Sequence, residues 1–159
     1  MSEIAIKEAN YTDLLFVAEN MRLTDKKEIY AMRWSDDPAM LARDALTVSP
    51  GMSWTVGKNV PIAAVGVAPK WPGVWSAWMF ATPRFAEVGI TMTKFIKKKV
   101  IPMIYDHAHR VEAISWSGHS EAHKWLESLG ATAENPLREY GKNKEDFITF
   151  VWRKQNVRI

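Results

Sequence analysis

The run Pro83-Arg84-Phe85-Ala86-Glu87-Val88-Gly89-Ile90-Thr91 lies between an apolar strand pattern and a helical stripe. A helix that starts there offers unpaired backbone N–H groups and the positive end of its dipole. A pyrophosphate accepts several such bonds at once. Gly89 removes the Cβ that would hold an anion off the backbone. Thr91 contributes a hydroxyl, and Lys94, one turn on, contributes charge. Glu87 opposes an anion unless it points away. The bland alternative is an ordinary helix start, and the run alone does not decide between the two.

Other reactive side chains are weaker signals. His119 and His123 stand four apart on a helical pattern, a spacing that can hold a metal, but no third ligand accompanies them. No metal is expected, and the plain alternative is surface histidine. Lys94, Lys97 and Lys98 share one helical face beside Lys99, without interleaved aromatics, so a solvated face is favoured over nucleic-acid binding. Glu112 sits in the apolar run Val111 to Trp116; its choices are an exposed strand carboxylate or a general base. The chain has no Cys, which excludes disulfides and thiolate catalysis.

Elements must position these groups. The 159 residues, with a net charge of +3 and a sequence pI near 9.1, suit one domain and tolerate an anionic ligand. No leader or membrane span is expected, which implies a cytoplasmic protein. Ile4 to Lys7 reads as a strand. Thr12-Asp13 opens a helix through Leu14, Val17, Ala18 and Met21. The polar stretch Thr24 to Glu28 leads into a helical piece through Ile29, Met32 and Arg33, and Ser35-Asp36-Asp37-Pro38 starts another helix. Three strands follow, around Trp54 to Val56, Ile62 to Val67 and Val74 to Ala81. They are joined by turns at Gly57-Lys58-Asn59 and at Pro69 to Gly73. Phe85 to about His109 is helical, with Pro102 expected to kink or break it. Val111 to Trp116 is a strand, His119 to Leu129 a helix closed by Gly130, and Ala131 to Tyr140 and Phe147 to Arg153 are the last strands. The strand–helix–strand step from Val74 to Trp116 allows one parallel pair in an otherwise antiparallel, mixed sheet. Trp75 and Trp78 differ in parity and face opposite sides of it. Trp71, between prolines at a hairpin tip, is a candidate contact for self-association or a partner, or else folds back onto the sheet.

Two stretches resemble motifs of the GNAT superfamily of acyl-CoA N-acetyltransferases. In the cofactor loop, Pro83, Phe85, Gly89 and Ile90 match; Ala86 replaces a Gln or Arg, and Thr91 a smaller residue. In His119-Ser120-Glu121-Ala122-His123-Lys124-Trp125-Leu126-Glu127-Ser128-Leu129-Gly130-Ala131, the family's fourth-helix pattern fits at Ala122, Trp125, Leu129 and Gly130. With the element order, the resemblance covers about the whole chain. It implies an α+β fold: a mixed, mostly antiparallel sheet with one splayed parallel pair and helices on both faces. It further implies acetyl-CoA (CoA) bound by Phe80, Ala81, Val88, Gly89, Ile90, Thr91, His119 and Ala122, and transfer of acetyl to a small-molecule or protein amine. The family's thiolate-protonating Tyr falls on Leu126, and the strand before the loop has no carboxylate. Glu112, His119 or Tyr140 would then handle the protons. The sequence also resembles a narrower group, the GNAT-like proteins of short-tailed phages. That likeness implies a non-catalytic role in assembly or in the virion, with virion proteins as partners.

Overall fold

A computed structural model describes residues 3–154. A seven-stranded sheet forms its centre, in the order β1-β2-β3-β4-β5-β7-β6. The strands are β1 (Ala5–Glu8), β2 (Ser53–Lys58), β3 (Val60–Trp71), β4 (Gly73–Ala81), β5 (Ala108–Trp116), β6 (Thr132–Leu137) and β7 (Phe147–Arg153). Among them β4 and β5 run parallel, and the other neighbours are antiparallel. The expected mixed sheet with one parallel pair is the sheet observed.

The helices are α1 (Tyr11–Glu19), α2 (Leu23–Tyr30), α3 (Pro38–Val48), α4 (Gly89–Phe95), α5 (Ile101–Tyr105) and α6 (Ser120–Ser128). None is long and apolar enough to cross a membrane among the described residues. On one face of the sheet, Leu14 and Val17 of α1 and Leu41, Ala42 and Ala45 of α3 pack with Phe80. On the other, Met92, Ile96, Ile104 and Leu126 pack against Val67, Trp75 and Val111. Trp75 and Trp78 divide between these two cores, as their parity requires.

Caps explain several boundaries. Asn10, not Thr12 or Asp13, caps α1: its side chain accepts from the Asp13 N–H at 2.9 Å. Asp37 caps α3 through the Ala39 N–H, with Pro38 in the first turn. Gly130, at φ 99°, closes α6: its N–H donates to the Glu127 carbonyl, and the Ala131 N–H to the Leu126 carbonyl. That pair of bonds is a Schellman motif.

Three expectations need correction. The stretch Thr24 to Glu28 is the body of α2 rather than a lead into a helix, and two of its polar side chains, Asp25 and Glu28, turn inward to a polar site. Strand β3 runs on through Pro69-Lys70-Trp71, and the turn tightens to Pro72, with β4 starting at Gly73, φ 86°. Pro102 does not break the helix, which continues through it to Tyr105. It has no N–H for an i−4 bond, and the helix widens before it into a π segment, Ile96–Val100, where the Ile101 N–H reaches the Ile96 carbonyl.

Candidate acyl-thioester site in the split sheet

The parallel pair stays together only from Gly73↔Ala108 to Ser76↔Glu112. Beyond that point the two strands part, while β4 keeps β3 on one side and β5 keeps β7 on its other. Antiparallel pairing with β3 alternates the direction of backbone groups along β4. The Ala81 N–H donates to Asp25 Oδ2 at 2.8 Å and its carbonyl accepts from the Arg22 N–H, both on the side away from β3. Met79 and Ala77 have the same parity, so their N–H and C=O groups also face the split. An extended amide-bearing chain can lie along such an edge as an extra strand.

The split opens into a cavity of about 150 Å³. Its walls are mainly apolar, including Val65, Ala77, Met79, Ile96, Ala113 and Leu126. Phe85 and Trp125 stand edge to face at 5.8 Å. The Arg22 guanidinium lies 5.0 Å over the Phe85 ring. Trp125 Nε1 donates to Thr93 Oγ1 at 2.8 Å, which ties α6 to α4.

One end of the cavity is polar, and α2 supplies most of it. Glu28 Oε2 accepts from Ser115 Oγ (3.0 Å), from the Trp116 N–H (2.8 Å) and from His119 Nδ1 (3.1 Å). A carboxylate at Nδ1 places that ring proton there and leaves Nε2 as the acceptor of the neutral imidazole. His119 Nε2 lies 3.8 Å from Asp25 Oδ1, and both side chains are buried. Asp25 also takes two bonds from Arg22. Burial pushes its carboxyl above the usual aspartate value; Arg22, the Ala81 N–H and His119 pull it down without cancelling the rise. Asp25 thus ties the edge of β4, Glu28 ties the edge of β5, and His119 stands between them.

Several sequence candidates gather here. His119 and Ala122 line the cavity. Ala81 meets Asp25 through its backbone. The loop before α4 is a 3-10 turn, Phe85–Glu87, leading directly into Gly89. Glu87 is bound in a two-point pair with Arg84, whose hydrogen bonds hold its carboxyl below the usual range. Ile90 is 75% exposed and Val88 is buried. A Cβ on Gly89 would meet nothing closer than the Phe85 ring at 3.4 Å. The fold therefore tolerates a side chain at 89, and the open backbone is free for a ligand. Phe80 is buried against Trp78 on the opposite face and its backbone is paired with Ala64 of β3, so neither its ring nor its N–H faces the split.

Two candidates are placed elsewhere. Glu112 lies where β4 and β5 are still paired, and its carboxylate binds Lys70 and Arg110. Burial raises its pKa, but those two cations outweigh it and hold the group low, which suits an ion pair better than a base. Tyr140 is 48% exposed and packs on Phe147, away from the cavity lining. The two histidines are also committed to the protein: His123 Nε2 donates to the Trp116 carbonyl at 3.0 Å, while His119 faces Glu28. The residues missed in the sequence are Arg22, Asp25 and Glu28. The polar i, i+3 pair Asp25/Glu28 on a short helix was their one visible sign.

No family model matches the sequence, and no curated protein sequence does. Solved structures match over nearly the full length. A GNAT-family acetyltransferase from Bacillus anthracis superposes with a TM-score of 0.66 at 13% identity, covering 98% of each chain. Ard1 from Thermoplasma volcanium gives 0.73 at 12% identity, covering 94% of this chain and 97% of that one. A putative acetyltransferase, yncA from Salmonella typhimurium, solved with acetyl-CoA, gives 0.69 at 13% identity, covering 99% and 98%. With its split parallel pair and helix-flanked sheet, the chain has the fold of the GNAT acetyltransferases.

Proposed function

We propose that the split between β4 and β5 binds acyl-CoA and that the protein is an N-acyltransferase acting on an amine. The carrying observation is the pairing of an open β4 edge with a buried proton-accepting group beside it. Acyl-CoA supplies an acyl group activated as a thioester. The backbone of Ala77 and Met79 holds the amide-bearing arm. The N–H groups of Gly89, Ile90 and Thr91 receive the pyrophosphate at the start of the helical run, with Lys94 adding charge. His119 Nε2 takes the proton from the attacking amine while Glu28 orients the ring. The amine nitrogen bonds the thioester carbon, the C–S bond breaks, and CoA leaves as a thiolate that takes the proton back from the His119 imidazolium. Asp25 steadies the imidazolium. Glu112 and Tyr140 have no part at this site.

The test is calorimetric titration with acetyl-CoA, coupled to a thiol-release assay over a panel of amines. Gly89→Leu should abolish binding while leaving the unfolding temperature nearly unchanged, since the fold has room there. His119→Ala should keep binding and lose amine-dependent turnover by ~10²-fold or more. No heat at millimolar acetyl-CoA would refute the reading.

One observation favours a second reading, a GNAT-fold assembly protein such as a virion component. Trp71 is 58% exposed at the β3–β4 hairpin, with Lys70 over its ring. Trp71→Ala should then weaken self-association or partner capture without loss of stability. Unaltered association in sedimentation would dismiss this role.

A further inference from the structure

The cavity does not end where the strands part. It continues beneath the paired section of the sheet, where Val100, Ile104, Tyr105 and Val111 line it. No backbone edge is free at that depth, because β4 and β5 are already joined at Trp75↔Val111. An amide-bearing arm gains nothing by going further in, whereas a flexible apolar chain does. The π segment helps to shape this inner end. Its wide turn, followed by Ile101, places Ile96, Val100 and Ile101 on the cavity wall together, and such segments recur at functional sites.

A polar signal lies at the same end. Tyr105 is 9% exposed, and its hydroxyl is buried without a hydrogen-bond partner. A buried tyrosine hydroxyl ordinarily finds one, and leaving it unmade is costly.

We propose that the inner end of the cavity selects an acyl group larger than acetyl, an apolar chain that carries an acceptor oxygen for the Tyr105 hydroxyl. This rests on the reading of the split as an acyl-CoA site. The thioester stays by the β4 edge near His119, and the chain beyond it runs between helix and sheet toward Tyr105. Split and inner end together measure about 150 Å³, a volume that can hold a group as large as benzene, so an acetyl group held at the β4 edge fills only part of it.

The experiment titrates CoA, acetyl-CoA, butyryl-CoA and hydroxybutyryl-CoA by calorimetry into wild type and Tyr105→Phe. Two further buried methylenes correspond to roughly tenfold, so butyryl-CoA should bind about tenfold more tightly than acetyl-CoA. Hydroxybutyryl-CoA should bind at least as tightly as butyryl-CoA to the wild type. Tyr105→Phe should weaken hydroxybutyryl-CoA by about fivefold, the worth of one hydrogen bond, and leave butyryl-CoA unchanged. The unliganded variant should melt no lower than wild type. Equal binding of acetyl- and butyryl-CoA would overturn the proposal and leave the acyl-CoA reading standing. Equal effects of Tyr105→Phe on the two longer ligands would overturn the acceptor. Failure of every thioester, with CoA itself silent, would instead remove the acyl-CoA reading.

Discussion

Replacing Glu28 by alanine probes how the split sheet is held. One carboxylate oxygen accepts three bonds, from Ser115, the Trp116 N–H and His119, and the side chain is 12% exposed. Ser115 and His119 can turn to other partners. The Trp116 N–H is fixed by the strand and cannot. An orphaned buried donor costs ~1–3 kcal/mol, and bonds to a charged acceptor are individually worth ~1.5–3 kcal/mol. Allowing for the rotation of two donors, Glu28→Ala should lose about 2–4 kcal/mol. In a domain of this size 1 kcal/mol moves the midpoint by ~2–4 °C, so the unfolding temperature should fall by about 5–15 °C. Glu28→Gln keeps an acceptor for the Trp116 N–H and should lose about 1 kcal/mol. Thermal unfolding followed by circular dichroism, with urea titration as a second measure, reads both variants. An alanine variant within 1 °C of wild type, or a glutamine variant as damaged as alanine, would show that Glu28 does not hold the β5 edge.

Three further outcomes follow from named contacts. A Cβ at Gly66 would be built into the Trp78 indole, which stacks on Phe80 and donates to Ser49 Oγ at 3.0 Å, so Gly66→Ala should lose ~1–3 kcal/mol in urea unfolding. Glu112→Gln should leave acyl-CoA affinity and turnover unaltered and lose under ~1 kcal/mol, because it breaks an ion pair outside the cavity; a loss of turnover would restore Glu112 as a base. Asp25 holds its proton more tightly folded than unfolded, since burial raises its pKa above 3.8. Its contribution to stability is therefore greatest at low pH and declines as pH rises from 3.8 through the folded value. Asn does not titrate, so the stability of wild type relative to Asp25→Asn should fall with rising pH across that window. A difference that grows instead would mean the carboxyl is stabilised as the anion.

The fold was legible where the sequence carries period or punctuation. Leu14, Val17 and Met21 mark one helical face, Asp37-Pro38 a helix start, Gly130 a helix end, and Val74 to Ala81 a strand leading into a proline and a glycine. Those signals place the strand–helix–strand step, and the step allows the parallel pair. The extent of that pair was not legible. Pairing stops after Ser76 while β4 stays with β3 and β5 with β7, so the extent of the pair is a property of the whole sheet and not of any local run. Pro102 was read correctly as a problem for the helix, but the expected kink or break does not convey its form, a π turn just before the proline with the helix running on to Tyr105.

The candidate site was half legible for a related reason. Motif positions such as Gly89, His119 and Ala122 lie in short runs, and short runs can be recognised. Arg22, Asp25 and Glu28 lie in a stretch without apolar period, so hydropathy passes over them. Yet a sheet that opens must leave N–H groups on both of its new edges, and buried donors require acceptors. The Ala81 and Trp116 N–H groups are two of them, and the carboxylates of Asp25 and Glu28 meet them. A helix that bridges the opening therefore has to carry acceptors three residues apart on one face, which is the spacing of Asp25 and Glu28. The same requirement brings His119 under carboxylate control from more than ninety positions earlier in the chain. The acceptors that let the sheet divide are thereby also the groups that orient an imidazole beside the division.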